Sequence, residues 1–144
     1  KDSFRQLNLD ELMDYQDLLD KAEFKRSRHV LSENQRVLSC RKALEVGDED
    51  QVGQLLNLTH ASLRDDYECS CEEIDFLVEA MIRMPFVRGA RIMGGGFGGS
   101  IIFLTHKDFS PDTLSELNRQ YANRYHREFF VYKVLPSQGA FIFD

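Results

Sequence analysis

Up to Pro85 the apolar residues recur every three or four positions, the period of a helix with one buried face. From Val87 onward they come mostly in short runs, the pattern of strands. Asn8 with Glu11 three residues later predicts a capping box, and Leu7 and Leu12 flank it as a hydrophobic staple. The helical pattern runs through Leu12, Leu18, Leu19 and Ala22. It resumes through Val30, Leu31, Asn34, Val37, Leu38 and Leu44 and ends at Gly47, a residue suited to a C-terminal cap. That is long for one helix, so a break is expected between Asp20 and Phe24. Asp48 with Gln51 predicts the next helix start, over the stripe Val52, Leu55, Leu56 and Leu63, and the polar cluster from Thr59 to Glu68 ends it. Ser70 with Glu73 predicts a third cap, over Ile74, Leu77, Val78, Met81 and Ile82, and Pro85 is the stop.

Val87–Ile92 and Ile101–Thr105 read as strands on either side of a glycine run. Ser110, with Pro111 at the first helical position, opens a fourth helix whose face is Leu114, Leu117, Tyr121 and Tyr125. Phe129 to Leu135 reads as a third strand, Pro136-Ser137-Gln138-Gly139 as a turn, and Ala140 to Phe143 as a closing fourth strand. Helices segregated from a meandering sheet predict an α+β two-layer domain. There is no internal repeat, and no domain boundary is placed inside the chain.

The segment Met93-Gly94-Gly95-Gly96-Phe97-Gly98-Gly99-Ser100 is the one stretch that neither helix nor strand chemistry explains. Glycine loses the most backbone freedom on ordering, so this run belongs in a loop. It leaves no Cβ to hold a ligand or another backbone away. Gly94, Gly96 and Gly99 formally match G-x-G-x-x-G, but a dinucleotide fingerprint needs a helix straight after the loop, and a strand-like run follows here. No Lys-Ser or Lys-Thr closes a Walker loop. The plain alternative is a tight hairpin whose glycines serve only the turn. Phe97 argues for more than a turn, because an aromatic ring in such a loop is expected to pack inward.

Charge and length narrow the partners. The net charge of the 144-residue chain is −6, which disfavours nucleic acid and anionic membranes. No apolar stretch reaches the ~18–20 residues that a membrane helix needs. The chain opens without a signal-peptide core and without an initiator Met, so a piece of a longer chain is expected. Cys40, Cys69 and Cys71 are odd in number and lack metal-ligand spacing, which predicts reduced thiols in the cytoplasm.

Side chains that could carry chemistry are scattered. His29, His60, His106 and His126 have no partner at metal spacing, so no metal site is predicted. Asp65-Asp66 beside Arg64 reads as a helix end with local ion pairs, although a carboxylate site is the alternative. Arg26-Ser27-Arg28-His29 lies near Glu33 and Asn34, where phosphate contact and i, i+4 pairing are equally good readings. No Ser-His-Asp set is defensible from the sequence.

Taken together, these segments resemble the C-terminal portion of the GHMP small-molecule kinases, a family that includes galactose, homoserine, mevalonate and phosphomevalonate kinases. Met93 to Gly99 is similar to that family's third glycine motif. Arg28-His29-Val30 with Glu33-Asn34, the run His60 to Glu68, and Lys133 with Pro136-Ser137-Gln138-Gly139-Ala140 point to its galactokinase branch. The resemblance runs from about Leu7 to the end. Many members of that branch carry Thr where this chain has Met93 and Cys where it has Ser100, so this chain lacks a side-chain hydroxyl just before the loop.

The resemblance implies a ferredoxin-like C-terminal domain with a four-stranded antiparallel sheet, occupying residues 1–144 of a longer chain. It implies phosphorylation of D-galactose at the anomeric hydroxyl with ATP and Mg²⁺. The catalytic Asp, its assisting Arg, the sugar-reading residues and a Ser-rich nucleotide loop lie in the family's N-terminal part and have no counterpart here. No catalytic residue, metal ligand or resident cofactor is therefore expected in this chain. Gly94, Gly95, Gly96, Phe97, Gly98 and Gly99 are the expected nucleotide-side contacts. The missing N-terminal domain is the expected partner, and self-association is expected without it. An N-acetylgalactosamine kinase or another GHMP kinase is the alternative, since the sugar-reading residues lie outside this chain, and a stand-alone α+β binding module is the non-enzymatic alternative. On the kinase reading, Gly96→Val is expected to harm catalysis more than folding.

Overall fold

The computed structural model describes residues 3–139. It divides after Phe109 into two compact units. The first holds a 3₁₀ turn at Phe4–Gln6, helices α1 (Leu9–Met13), α2 (Lys21–Val46), α3 (Glu49–Asp65) and α4 (Glu72–Ile82), and strands β1 (Val87–Met93) and β2 (Ser100–Thr105). The second holds a 3₁₀ turn at Pro111–Thr113 and helix α5 (Leu114–Tyr125).

Local capping chemistry sets most helix boundaries. Asn8 Oδ1 accepts from the Glu11 N–H at 2.9 Å, and Glu11 Oε2 accepts from the Asn8 N–H at 3.0 Å, so both halves of the predicted box form. A break exists but lies earlier than expected, at Asp14–Asp20, so Leu18 and Leu19 fall outside any helix; a second box at Asp20 and Glu23, with bonds of 2.8 and 3.0 Å, starts α2 at Lys21. Gly47 closes α2 at φ +71°, the left-handed value that suits glycine. The Asp48 N–H reaches the Ala43 carbonyl at 2.9 Å and the Gly47 N–H reaches that of Leu44 at 3.2 Å, a Schellman ending. Asp48 Oδ1 then caps α3 by accepting from the Gln51 N–H at 2.9 Å.

Two expectations about helix ends change. Cys71, not Ser70, precedes α4, and the Ser70 hydroxyl donates to Asp75 Oδ1 at 2.6 Å instead of capping the backbone. α3 ends within the polar cluster from Thr59 to Glu68, but only after running through its first seven residues. The helix continues to Asp65, and Thr59, His60 and Ser62 are buried because each has polar partners inside the unit. The stripe assigned to α2 also needs correction: Leu31 is buried, but Val37, Leu38 and Leu44 are exposed.

The core sits where α3 and α4 cover β1. Ala90 and Ile92 of β1 are almost fully enclosed, with Ile74, Leu77, Val78 and Met81 from α4 and Val52 and Leu55 from α3. β1 pairs antiparallel with β2 in the register Met93↔Ser100, Ile92↔Ile101, Arg91↔Ile102, with an irregularity between Val87 and Gly89. Helix α3 supplies acceptors to β1: Asn57 Oδ1 accepts from the Ala90 N–H at 2.8 Å, and His60 Nδ1 from the Ile92 N–H at 3.4 Å. This contact requires backbone to approach backbone. A Cβ on Gly53 would meet the Arg88 carbonyl, and one on Gly89 the Gly53 carbonyl, both well under 3.0 Å.

In the second unit Ser110 caps the turn at Pro111 as expected, with its Oγ accepting from the Asp112 N–H at 3.4 Å. Leu114 and Leu117 are the buried positions of α5, and Tyr121 meets the Tyr125 ring at 4.9 Å. His126 ends the helix at φ +55°.

The α+β class holds, but the described residues contain two strands rather than four. Phe129 to Leu135 is not a strand. Composition alone does not make one: a strand exists through ladder hydrogen bonds, and the Phe129 N–H is bonded to the Asn118 side chain at 3.1 Å. Pro136 to Gly139 forms no turn. The closing strand expected at Ala140 to Phe143 lies outside the described residues.

Gly89→Ala should destabilise the first unit by about 1–3 kcal/mol, because the added methyl group overpacks a backbone contact. Chemical denaturation measures it, and an unchanged midpoint would show that α3 does not sit this close to β1 in solution.

Candidate functional site

The hairpin loop Gly94–Gly99 is left-handed over most of its length. Gly94, Gly96, Gly98 and Gly99 have φ of +86°, +87°, +125° and +85°, and Phe97 has +57°. Four glycines are therefore required by backbone conformation alone. Phe97 pays a strain cost that glycine would not, and its ring is 75% exposed rather than packed inward. The inward expectation fails because the residue is held by its backbone: its N–H donates to the Cys69 carbonyl at 2.7 Å.

That bond hangs the loop tip from the α3–α4 connection. Gly96 lies directly against it, and a Cβ there would fall under 3.0 Å from the Cys69 carbonyl and Cβ. Gly96→Val would thus disturb the loop's own packing, so it cannot separate catalysis from folding as the sequence led us to expect. The remaining four positions are different. A Cβ at Gly94, Gly95, Gly98 or Gly99 would meet nothing within 4 Å. Gly95 has neither a left-handed φ nor a close neighbour. The open side of the loop thus presents bare backbone to its surroundings, an arrangement suited to close approach by an anion or another polypeptide.

Residues 40–123 match the family described as GHMP kinases C terminal. The chain belongs to that family. It is also 40% identical over 139 residues to a galactokinase of Thermotoga neapolitana, covering 96% of this chain and 39% of that protein. It is 42% identical over 121 residues to a galactokinase of Homo sapiens, covering 84% of this chain and 31% of that one. The solved structure of a Lactococcus lactis galactokinase complexed with galactose superposes with a TM-score of 0.82 at 35% identity, over 89% of this chain and 33% of that one. The chain therefore spans well under half the length of the galactokinases it matches and corresponds to their C-terminal part.

Away from the loop, this GHMP kinase domain gathers Arg28, His29, Glu33 and polar residues of Thr59–Asp66 into one cluster, in which His29, Thr59, Ser62 and Asp66 are buried and Arg28 is exposed. His29 Nδ1 and Ser62 Oγ lie 2.9 Å apart, and Ser62 Oγ donates to Asp66 Oδ2 at 3.2 Å. Arg28 pairs with the other Asp66 oxygen. The hydroxyl proton is committed to Asp66, so His29 must donate to Ser62 from Nδ1. Serine stands between histidine and aspartate, the wrong order for a nucleophile activated by a base. Glu33 takes a hydrogen bond from Thr59 at 3.1 Å and ion pairs from Arg36 at 2.7 Å and Arg91 at 3.7 Å. Arg28 therefore finds its partner 38 residues away rather than along its own helix, and Asp65 keeps a local pair with Arg64 at 2.8 Å.

The sequence reading missed three groups that hold the loop and its strand: Asn57, His60 and the Cys69 carbonyl. A signal was available. Gly53 interrupts a helical stripe, where glycine costs about 1 kcal/mol relative to alanine, and such a residue marks a close backbone approach.

Burial pushes the pKa values of His29 and His60 below the ordinary histidine value of 6.5. The folded state therefore prefers both rings neutral. A group with a depressed folded pKa contributes stability above its unfolded pKa and loses it as pH falls through that value. Stability should accordingly drop as pH falls below about 6.5. Denaturation midpoints measured across pH 5 to 8 check this, and a midpoint that is flat or rises toward pH 5 would contradict it.

Proposed function

We propose that this chain is the C-terminal domain of a galactokinase, and that its loop Gly94, Gly95, Gly96, Phe97, Gly98 and Gly99 supports the nucleotide side of the active-site cleft. In that reaction the anomeric hydroxyl of D-galactose attacks the γ-phosphorus of ATP. The bond to the bridging oxygen breaks and ADP leaves. The hydroxyl proton passes to a base in the N-terminal part of the enzyme. The identities to galactokinases and the likeness to a galactose-bound galactokinase support the substrate. Phosphoryl transfer is mostly positioning and charge stabilisation, so a backbone loop contributes without a reactive side chain.

The observation that carries the loop's role is Gly95, a glycine that its own fold does not require. The described residues bring together no group of three or more His, Cys, Asp or Glu side chains suited to a metal. The kinase reading supplies Mg²⁺ together with ATP in the intact enzyme. The free thiols Cys40, Cys69 and Cys71 fit a reducing, cytoplasmic setting. No helix among the described residues is long and apolar enough to cross a membrane. The exposed Val37, Leu38, Leu44 and Phe97 fit cover by the N-terminal domain and self-association of the chain without it.

Gly95→Ala in the intact enzyme should leave the melting temperature unchanged and lower turnover by roughly 10²-fold, the scale of a ~1 Å misplacement of bound phosphate. Paired melting and steady-state kinetics test it, and normal turnover would assign the glycines to the hairpin alone.

The 144-residue chain by itself should show no turnover with galactose, ATP and Mg²⁺. A contaminant-controlled coupled assay decides this, and specific turnover would place catalytic groups within this chain.

A further inference from the structure

A six-residue loop with glycine at five positions has very little intrinsic preference for one shape. Something outside it must select the observed conformation. The Phe97 N–H bond to the Cys69 carbonyl, 2.7 Å, fixes the tip. The root is fixed separately. Ile92, next to the Met93–Ser100 pair that closes the hairpin, gives its N–H to His60 Nδ1 at 3.4 Å.

His60 is only 3% exposed, and its other nitrogen faces α4. Nε2 lies 3.2 Å from Asp75 Oδ1, a hydrogen-bond distance but outside good hydrogen-bond direction, so the carboxylate acts on the ring mainly as a charge. The same Asp75 oxygen accepts from the Ser70 hydroxyl at 2.6 Å. Ser70 adjoins Cys69. The contacts therefore close a circuit: loop root, His60, Asp75, Ser70, Cys69, loop tip.

We propose that His60 is a positioning residue for the glycine loop, setting its root against the same α3–α4 connection that holds its tip. The chemistry requires a neutral ring. Nδ1 must carry a lone pair to accept from Ile92, which places the proton on Nε2, toward Asp75. Protonation turns the acceptor into a donor facing another donor. Phenylalanine keeps the ring volume and removes both contacts. Asparagine keeps an acceptor oxygen near the Nδ1 position and loses the reach to Asp75. Asn57, which holds Ala90 one pair further down β1, is the internal control.

The test is amide hydrogen exchange, read residue by residue on the intact protein without substrate. His60→Phe should speed exchange at Ile92 and at Phe97, whose N–H groups hold the root and tip of the loop, by about tenfold or more, while Ala90 keeps its protection. His60→Asn should restore most of the protection at Ile92. Asn57→Leu should do the reverse, releasing Ala90 and sparing the loop. In the unsubstituted protein the loop amides should shift with pH in one titration that His60→Asn abolishes. The charged groups acting on His60 are Asp75 from α4 and Arg64 and Asp65 from its own helix, and β1 offers it a backbone N–H.

Unchanged loop exchange in His60→Phe, or protection lost evenly across the whole unit, would overturn the proposal and make His60 an ordinary core residue. If His60→Phe does not fold, the pH titration, read as loop amide chemical shifts in the unsubstituted protein, decides: chemical shifts that stay flat with pH would overturn it. None of these readouts involves ATP or sugar, so failure here leaves the kinase reading standing, and normal turnover in Gly95→Ala leaves the positioning role standing.

Discussion

The approach of α3 to β1 is the constraint on which the first unit depends. Two glycines, Gly53 and Gly89, let a helix backbone rest on a strand backbone with no side chain between them. At that distance short side chains on the helix can reach the strand's N–H groups, and Asn57 and His60 do so. The helix thereby takes up donors that a neighbouring strand would otherwise satisfy. Wider spacing would leave two enclosed polar groups without partners, at about 1–3 kcal/mol each. Packing of Ile92 and Ala90 against α4 follows from this placement, and so does the position from which the glycine loop springs.

Much of this architecture was legible in the chain, because much of it is local. Caps at Asn8, Asp20, Asp48 and Ser110 depend on residues within three positions of one another, and each is where its short motif puts it. The same is true of the Gly47 ending and of the strand–loop–strand hairpin. Errors arise where a distant partner outbids a local one. Ser70 is a local exception, bonding the side chain of Asp75 five residues on rather than capping α4. Thr59, His60 and Ser62 are polar yet buried, because Glu33, Ile92 and His29 supply partners from 26 to 33 residues away. Phe129 to Leu135 has strand-like composition and no ladder.

The loop shows the same division. Its glycine content announced unusual backbone, and left-handed φ values at four glycines account for that. Its anchoring was invisible, since a backbone carbonyl carries no sequence signature: any residue at position 69 offers one. Nor could the residue types tell which glycines serve the turn, which serve a close neighbour and which face open space. That separation needs coordinates, and it sets apart, among five apparently equivalent residues, Gly96, packed against Cys69, and Gly95, free of any demand from its own fold.

The joint between α2 and α3 has a consequence for how the domain can move. Gly47 ends one helix and Asp48 starts the next, and the Asp48 N–H still bonds back to Ala43 while its side chain bonds forward to Gln51. One residue thus serves two helices, and no slack is left between them. The two helices form a rigid bracket, and swinging one against the other would break hydrogen bonds on both sides at once. Between α1 and α2, by contrast, the seven described residues from Asp14 to Asp20 include none that bonds to both helices, so that joint lacks the double tie that locks α2 to α3.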